Sequence, residues 1–155
     1  MLVEHGIIRT KVARPGMLLS DVFTECGRTH VQALPFVDEA GRLSGRVTLK
    51  NVMKIACLPE HMVSAAPLLG AFLSCVENAQ TKIEEVLGSV VDDYVLPPHA
   101  SIGPEEPAIK ALAVMEEHDT SYLFVVDGGE YQGIITIQGI AEVMSRVYAG
   151  TRELE

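Results

Sequence analysis

A short polar run at residues 48–51 carries the side chains of this chain that are best suited to bind a small anionic molecule. Thr48 ends an apolar, alternating segment and precedes a helical one, so its hydroxyl can cap the free N–H groups of the first helical turn. The same helix N-terminus offers N–H donors and the positive end of the helix dipole to an anion. Lys50 could add a cation for a phosphate, and Asn51 an amide for a hydroxyl. The run predicts either a small-molecule site or simply a helix cap.

A second threonine at a strand-to-helix junction, Thr136, follows Thr48 at a distance of 88 residues. Gln138 and Gly139 come after it, so the cation and the amide of the first junction are absent here. Because glycine offers no side chain to a ligand, we expect the second junction to be blocked or specialised for a ligand other than a nucleotide. Thr136 is therefore interpreted mainly as a helix cap.

Composition argues against several functional classes. The net charge of −9 disfavours nucleic acid and anionic membrane surfaces as partners, because both need a basic patch. The cysteines are scattered and the histidines share no ligand spacing, so we expect reduced thiols and no metal site. The sequence shows no Ser-His-Asp order of the kind found in catalytic triads, so we do not expect an enzyme. The most apolar stretch, 62–76, is short for a membrane span, and no signal peptide is visible, so we expect a cytoplasmic protein.

Two similar segments position the two threonines. Residues 34–48 read LPFVDEAGRLSGRVT, residues 123–136 read LFVVDGGEYQGIIT, and a single-residue gap aligns them. Each segment has an apolar run, an acidic turn with glycine, and a second apolar run with glycine three residues before threonine. These features predict a β-hairpin in each half. The repeat distance is too long for a solenoid and indicates a duplicated small domain with a pseudo-two-fold axis.

A helix is predicted before each hairpin. The spacing of apolar residues predicts helices over 17–28 and 108–118, the second with Ile109, Leu112 and Ala113 buried. Another helix is predicted after each hairpin. Each half therefore has the order extended leader, helix, two antiparallel strands, helix.

The two helices after the hairpins differ in length. The first is short, with apolar positions at Val52, Met53, Ile55 and Ala56. The second has one apolar face, formed by Ile140, Val143, Met144, Val147 and Tyr148. Gly150 is expected to end it. Residues 58–88 belong to neither copy; they contain a predicted helix over 77–87 and an apolar run that could close the core, dock a partner or line a pocket.

Over residues 8–57 and 90–148 the chain resembles two CBS domains, the repeat whose tandem pair is called a Bateman module. The carrying strings are VQALPFVD and GRLSGRVTLKNV in the first copy, and LFVVD and GIIT in the second. The resemblance implies an α/β (α+β) fold of two CBS repeats packed about a pseudo-two-fold axis. It divides the chain into repeat 1 at 8–57, an inter-repeat segment at 58–89 and repeat 2 at 90–150.

Such modules are regulatory sensors that bind adenine nucleotides or adenosyl compounds between the repeats and often form dimers. The resemblance places Asn51 where the family has the aspartate that holds ribose hydroxyls, so binding at this junction would be weaker. Gly139 replaces the second aspartate, and Phe124 replaces the strand proline. The candidate ligand-binding residues are Ala33, Leu34, Arg46, Thr48, Lys50, Asn51, Tyr122 and Thr136.

Two of these candidates have simpler interpretations. Arg46 lies on the polar side of its predicted strand, where a solvated surface arginine is the more common case. Tyr122, together with Ser121, could line a cavity the size of a nucleobase, although such residues more often serve ordinary packing.

The sequence thus predicts a stand-alone regulatory CBS-pair module that forms a homodimer. It would sense AMP, ADP, ATP or an S-adenosyl compound, require no cofactor, and act in trans on an enzyme or transporter. The alternative is a ligand-independent dimerisation or adaptor protein. Loss of both family aspartates favours the alternative, whereas Thr48 and Lys50 favour the sensor.

Overall fold

A computed structural model describes residues 1–57 and 79–152. These ranges contain two short 3-10 helices, at Val3–Gly6 and Val91–Tyr94. Their α-helices are α1 Leu19–Thr29, α2 Leu49–Cys57, α3 Ala79–Leu87, α4 Ala108–Glu117 and α5 Ile137–Arg152. Their strands are β1 Ala33–Val37, β2 Leu43–Thr48, β3 Ser101–Ile102, β4 Tyr122–Asp127 and β5 Glu130–Thr136.

Each half contains the predicted β-hairpin. β1 pairs antiparallel with β2, and β4 pairs antiparallel with β5. The second turn consists of Gly128 and Gly129, which both have positive φ, the conformation that matches the twist of the flanking strands. Strand β3 adds a parallel neighbour to β4.

Each repeat begins with an extended segment, leader 1 (residues 1–18) or leader 2 (residues 88–107). Leader 1 pairs with the hairpin of repeat 2, through two backbone hydrogen bonds of 2.9 Å between Ile8 and Ile134. Leader 2 makes the reciprocal pairing, because Leu96 forms two backbone bonds of 2.9 and 3.0 Å with β2. Each leader therefore completes the sheet of the other repeat.

The glycines that precede the two threonines permit this exchange. A Cβ atom on Gly45 would lie 2.6 Å from the carbonyl oxygen of Leu96, and one on Gly133 would lie 2.6 Å from that of Ile8. Gly133 also has a φ of +155°, a conformation that residues other than glycine rarely adopt. The glycine three residues before each threonine is thus explained by the close approach of the opposite leader.

The two faces of the second hairpin have different partners. One face packs on the helices of its own repeat, in a cluster that includes Leu123, Val125, Ile135, Ala111, Met115 and Ile140. The other face joins repeat 1, in a core that includes Tyr122, Phe124, Ile134, Leu34, Val47 and Val52. The structure therefore has the predicted two-repeat α+β architecture, with the hairpins packed across a shared junction.

The predicted buried face of α4 is wrong. Ile109 is 74% exposed, Ala113 is exposed and Leu112 is only half-buried. The buried positions are instead Ala108, Ala111 and Met115. The 3.6-residue period fits both faces of this short apolar helix, and packing against β4 selects the face with the small alanines.

The predicted apolar faces of α2 and α5 are only partly buried. In α2, Val52 is buried whereas Met53 and Ile55 are exposed. In α5 the core contacts come from the first two turns, and Met144, Val147 and Tyr148 are exposed. Gly150 does not end α5, which continues to Arg152; a glycine inside a helix costs only about 1 kcal/mol relative to alanine.

The inter-repeat segment is described only in part. The helix predicted over 77–87 is present as α3, with Val86 buried, and its predicted end before Gly88 is correct. The apolar run before α3 lies outside the described residues.

Candidate functional site

Both threonines cap a helix. The hydroxyl oxygen of Thr48 accepts a hydrogen bond of 3.0 Å from the backbone N–H of Asn51, and that of Thr136 accepts one of 2.9 Å from the N–H of Gly139. Each threonine is only 8% exposed. Capping satisfies one of the free N–H groups at each helix N-terminus. We call Thr48, Lys50 and Asn51 the first corner.

The N-termini of α2 and α5 meet a common link between the repeats. The backbone N–H of Leu49 donates to the carbonyl of Gln32, and the N–H of Ile137 donates to that of Ser121, both at 3.0 Å. The side chains of Gln32 and Ser121 are themselves hydrogen-bonded to each other. The two corners therefore lie on either side of one polar link at the junction.

In the first corner, the side chain of Asn51 is already engaged. Its amide nitrogen donates a hydrogen bond of 3.3 Å to the carbonyl oxygen of Tyr94 in leader 2. The amide oxygen keeps its capacity to accept, which is the role that a ribose hydroxyl requires. Lys50 is exposed at the first turn of α2, where its ammonium can meet an anion.

The second corner is formed by Thr136, Gln138 and Gly139. A Cβ atom on Gly139 would lie 3.2 Å from the hydroxyl of Thr136 and 3.4 Å from the carbonyl oxygen of Gly6. A side chain at position 139 would therefore be in tight contact with the Thr136 hydroxyl and in van der Waals contact with the backbone of leader 1. Glycine itself offers no side-chain group to a ligand here.

Arg46 is partly exposed, as its interpretation as a surface residue implies, but its side chain is held by hydrogen bonds. Its side chain is half-buried, and Nη1 donates a hydrogen bond of 3.1 Å to the hydroxyl of Tyr122. Nε donates one of 3.2 Å to the carbonyl oxygen of Pro97. Arg46 therefore joins β2 to the hairpin and leader of repeat 2.

Sequence reasoning missed two histidines beside this arginine. The ring of His99 lies 5.4 Å from that of His118 and 6.3 Å from that of Tyr122, measured between centroids. Burial, together with the positive charges of Arg46 and His118, lowers the pKa of His99 below its usual value. No sequence signal could have found this pair, because the residues come from a leader without periodicity and from the end of a helix.

Three other candidate residues contribute mainly to packing. The side chains of Ala33 and Leu34 are completely buried, so a ligand could reach only their backbone. Tyr122 is 4% exposed, with its ring 5.6 Å from that of Phe124. The buried thiol of Cys26 has a pKa raised to about 12 by desolvation, which fits the expectation of an inert thiol.

An apolar groove of about 590 Å³ lies on the outer helices of repeat 2. Its walls are formed by Met1, Pro107, Ala108, Ile109, Leu112, Ile140, Met144, Val147, Tyr148 and Thr151. No charged side chain lines it, and its largest apolar side chains are exposed. In the part of the chain that the structure describes, no group of three or more His, Cys, Asp or Glu residues could hold a metal ion. No described helix is long and apolar enough to cross a bilayer.

The arrangement of two hairpin repeats with exchanged leaders indicates the class of protein to which the chain belongs. The family model of the CBS domain matches the chain twice, at residues 7–57 and 91–146. The matches cover more than half of the chain, which therefore belongs to the CBS domain family as a tandem pair. A search of curated proteins finds no match.

Solved structures agree with this assignment. A putative acetoin utilization protein (AcuB) from Vibrio cholerae aligns with a TM-score of 0.67 and 17% identity, over 100% of this chain and 98% of that chain. CBSX2 in complex with AMP aligns with a TM-score of 0.64 and 18% identity, over 95% and 98%, and CBSX2 from Arabidopsis thaliana also aligns. The CBS domain pair of protein MJ0100, in complex with 5′-methylthioadenosine and S-adenosyl-L-methionine, aligns with a TM-score of 0.59 and 20% identity, over 97% and 98%. At these identities the likeness shows the fold.

Proposed function

We propose that this chain is a regulatory CBS-pair module that binds a small adenosine-containing ligand at the first corner and modulates a partner protein in trans. One observation carries the proposal: Thr48, Lys50 and Asn51 keep a capped helix N-terminus, an exposed ammonium and a polar amide together at the repeat junction. Related structures bound to AMP and to S-adenosyl-L-methionine support the choice of ligand class.

The expected ligands are AMP, ADP, ATP or an S-adenosyl compound, and no cofactor is required. Asn51 would accept a ribose hydroxyl through its amide oxygen, and Lys50 would bind a phosphate or carboxylate. The second corner lacks the same arrangement, because Gly139 supplies no side-chain acceptor and Gln138 no cation. The output would be a contact with an enzyme or transporter in the cytoplasm.

The proposal includes a homodimer formed through the groove of repeat 2. Ile109, Met144 and Tyr148 expose large apolar surfaces there without a charged neighbour in the groove wall. Such a patch is unusual on a monomer of this size and fits an interface between copies. With a net charge of −9, two copies repel each other, so an uncharged face is the favourable place for them to meet.

Titration calorimetry with adenosine and AMP tests the ligand site. We expect Lys50→Ala to weaken AMP binding about tenfold, because a charge-assisted bond to phosphate contributes about 1.5–3 kcal/mol. The same variant should leave adenosine binding unchanged, since adenosine has no phosphate. Gln138→Ala in the second corner is the matched control and should change neither affinity. AMP binding that is insensitive to Lys50→Ala would exclude the first corner.

The alternative function is a ligand-independent dimerisation or adaptor protein. A specific observation favours it: the amide of Asn51 is bonded to Tyr94 and the guanidinium of Arg46 to Tyr122, so protein contacts already use both side chains. The two functions differ in a simple measurement. If no adenosine compound binds at millimolar concentration while the protein remains dimeric, the adaptor function is the better account.

A further inference from the structure

A small polar cleft lies where leader 1 crosses repeat 2, on the side of the leader that faces away from the junction. Its volume is about 520 Å³, and we call it the leader cleft. Its lining residues are Glu4, His5, Ile7, Arg9, Pro104 and Gln132. Successive side chains of an extended segment point to opposite sides. Ile8 accordingly packs against the core shared by the two repeats, whereas Ile7 packs against the separate cluster of repeat 2. The leader cleft is therefore distinct from both corners.

The leader cleft carries one charge of each sign, and the two charges do not pair with each other. The carboxylate belongs to Glu4 and the guanidinium to Arg9, and none of the described ion pairs within 4.0 Å joins them. Glu4 lies 3.9 Å from Nε2 of His5, which is too far for a hydrogen bond. The side chain of Glu4 is half exposed, and Arg9 is exposed. Both charges are therefore accessible to a bound molecule.

The corresponding place in repeat 1 is used by the protein itself. Asp92 is the second residue of its 3-10 helix, as Glu4 is of the other 3-10 helix. The carboxylate of Asp92 accepts a hydrogen bond of 2.8 Å from the backbone N–H of Gly16, whereas no described N–H donates to that of Glu4. Arg9 stands 88 residues before Pro97, which carries no charge. The repeat comparison thus leaves a pair of accessible opposite charges in repeat 2 where the described part of repeat 1 has none.

Uncharged groups complete the leader cleft. Nδ1 of His5 accepts a hydrogen bond of 3.1 Å from the backbone N–H of Leu2, so the neutral imidazole carries its proton on Nε2 and can donate it to a ligand. The amide of Gln132 can donate and accept. Ile7 and Pro104 are partly buried and add an apolar surface. The leader cleft therefore combines separated charges with a small apolar wall.

We propose that the leader cleft binds a free α-amino acid with a small aliphatic side chain. A zwitterion brings an ammonium group for Glu4 and a carboxylate that the planar guanidinium of Arg9 can hold through two parallel hydrogen bonds. Its zero net charge suits a protein of net charge −9, which disfavours a purely anionic ligand. The aliphatic side chain would lie against Ile7 and Pro104. The site requires no adenosine and uses none of the first-corner residues, so it goes beyond the function proposed above.

A bound amino acid would join leader 1 to repeat 2. Glu4 and Arg9 belong to leader 1, whereas Pro104 and Gln132 belong to repeat 2. Ile8 lies between the two charged residues and makes the backbone bonds to Ile134 that hold leader 1 on the hairpin. Because a ligand stabilises the form that it binds, the amide hydrogen of Ile8 should exchange more slowly with solvent when the cleft is occupied.

NMR titration with L-valine and two analogues tests the proposal. L-Valinamide lacks the carboxylate, and N-acetyl-L-valine lacks the ammonium group. We expect saturable shifts of the His5 imidazole with L-valine and weaker binding of each analogue. Arg9→Gln should weaken L-valine binding about fivefold, as expected for an exposed ion pair, and leave L-valinamide binding unchanged. Glu4→Gln should weaken L-valine binding by a similar factor and leave N-acetyl-L-valine binding unchanged. Arg14→Gln removes the same charge from another exposed residue of leader 1 and should change no affinity.

Three outcomes would overturn the proposal. L-Valine that causes no saturable shift would show that the leader cleft binds no amino acid. Equal weakening of L-valine and L-valinamide by Arg9→Gln would show that the guanidinium does not meet the carboxylate, and equal weakening by Arg14→Gln would reduce the effect to general charge attraction. Lys50→Ala should leave L-valine binding unchanged. AMP binding is measured separately, so failure of the leader cleft would leave the first corner intact, and failure of the first corner would leave the leader cleft intact.

Discussion

In the first corner the side chain of Asn51 reaches the carbonyl oxygen of Tyr94, whereas in the second the backbone of Gly6 lies against Gly139. Both helices nevertheless begin with a threonine cap of nearly the same length, and in both repeats a Cβ atom on the close-approach glycine would lie 2.6 Å from a carbonyl oxygen of the opposite leader. The repeats thus share their backbone contacts and differ in the side chains that fill the junction.

The comparison teaches which positions the duplicated fold restricts. The capping threonines and the close-approach glycines serve backbone geometry, so both repeats keep them. Arg46 corresponds to Ile134, and the exchange of an apolar residue for a cation is tolerated because Tyr122 and Pro97 supply acceptors. Chemistry could therefore diverge at one corner without loss of the fold.

The largest expected effect is a difference in stability between substitutions at the two close-approach glycines, Gly133 and Gly45. Gly133→Ala should destabilise the protein by about 4 kcal/mol, because it combines a clash with the backbone of Ile8 and a strained φ. Gly45→Ala adds only the clash with leader 2 and should cost about 2 kcal/mol. Urea unfolding monitored by circular dichroism measures both. Equal losses of stability would mean that the φ angle of Gly133 adds no cost for alanine.

The second prediction concerns a variant in which the outer helix face of repeat 2 carries the residues found at the same positions in repeat 1. Ser20 and Ala56 stand in repeat 1 where repeat 2 has Ile109 and Met144. The double variant Ile109→Ser, Met144→Ala should raise the dimer Kd over a hundredfold, since each substitution occurs twice and the lost apolar burial is worth about 3 kcal/mol. Sedimentation equilibrium measures it.

The control for that prediction lies in repeat 1. Ile55→Ser with Met53→Ala removes a matching pair of exposed apolar side chains from α2 and should leave the dimer unchanged. If the control variant dissociates the dimer as strongly as the test variant does, the interface is not confined to repeat 2. A wild-type monomer at micromolar concentration would contradict the homodimer itself.

The third prediction restores the family aspartate at each corner in turn. Asn51→Asp should tighten adenosine binding about fivefold, because a charged acceptor adds about 1 kcal/mol to a hydroxyl bond. Adenosine is the proper probe, since a phosphate would be repelled by the new charge. Gly139→Asp should not create a site and should lower stability, because its carboxylate would face the carbonyl oxygen of Gly6. Calorimetry measures adenosine affinity in both variants. Equal gains in affinity would contradict the difference between the two corners.

The smallest expected effect concerns pH. The pKa of His99 is lowered in the folded protein, so below about pH 6.5 the unfolded chain binds a proton more readily and stability falls. Above that range both states are neutral and the contribution vanishes. His99→Asn should flatten the dependence of the urea midpoint on pH, whereas His30→Asn, at the end of α1, should not. An unchanged slope in His99→Asn would show that this group does not titrate with folding.

The sequence predicted the hairpins, the caps and the order of elements, because each depends on neighbouring residues. Turn chemistry at Gly128 and Gly129 and the threonine caps are local, and the structure retains them. The buried face of α4 was predicted wrongly. The face that contains Ile109 and the face that contains Met115 both have helical spacing of apolar residues, and only the packing partner distinguishes the two faces.

The candidate site was harder to predict, because its contacts cross between repeats. Thr48 and Asn51 were identified from their spacing, but the bond from Asn51 to Tyr94 joins residues 43 positions apart. His99 gave no signal at all, since its neighbours come from β2, α4 and β4. Whether the first corner binds a ligand remains a prediction.

The exchanged leaders have a consequence for how such a chain can be divided and how it arose. In a single repeat expressed alone, the part of the leader that contains Ile8 or Leu96 would lack its partner, and one edge of the repeat's own hairpin would be unpaired. Two half-chains should therefore be unable to fold separately yet should complement each other when expressed together. By the same reasoning, a one-repeat ancestor would have exchanged its leaders between two molecules, and a gene duplication would have turned this exchange into one within a molecule.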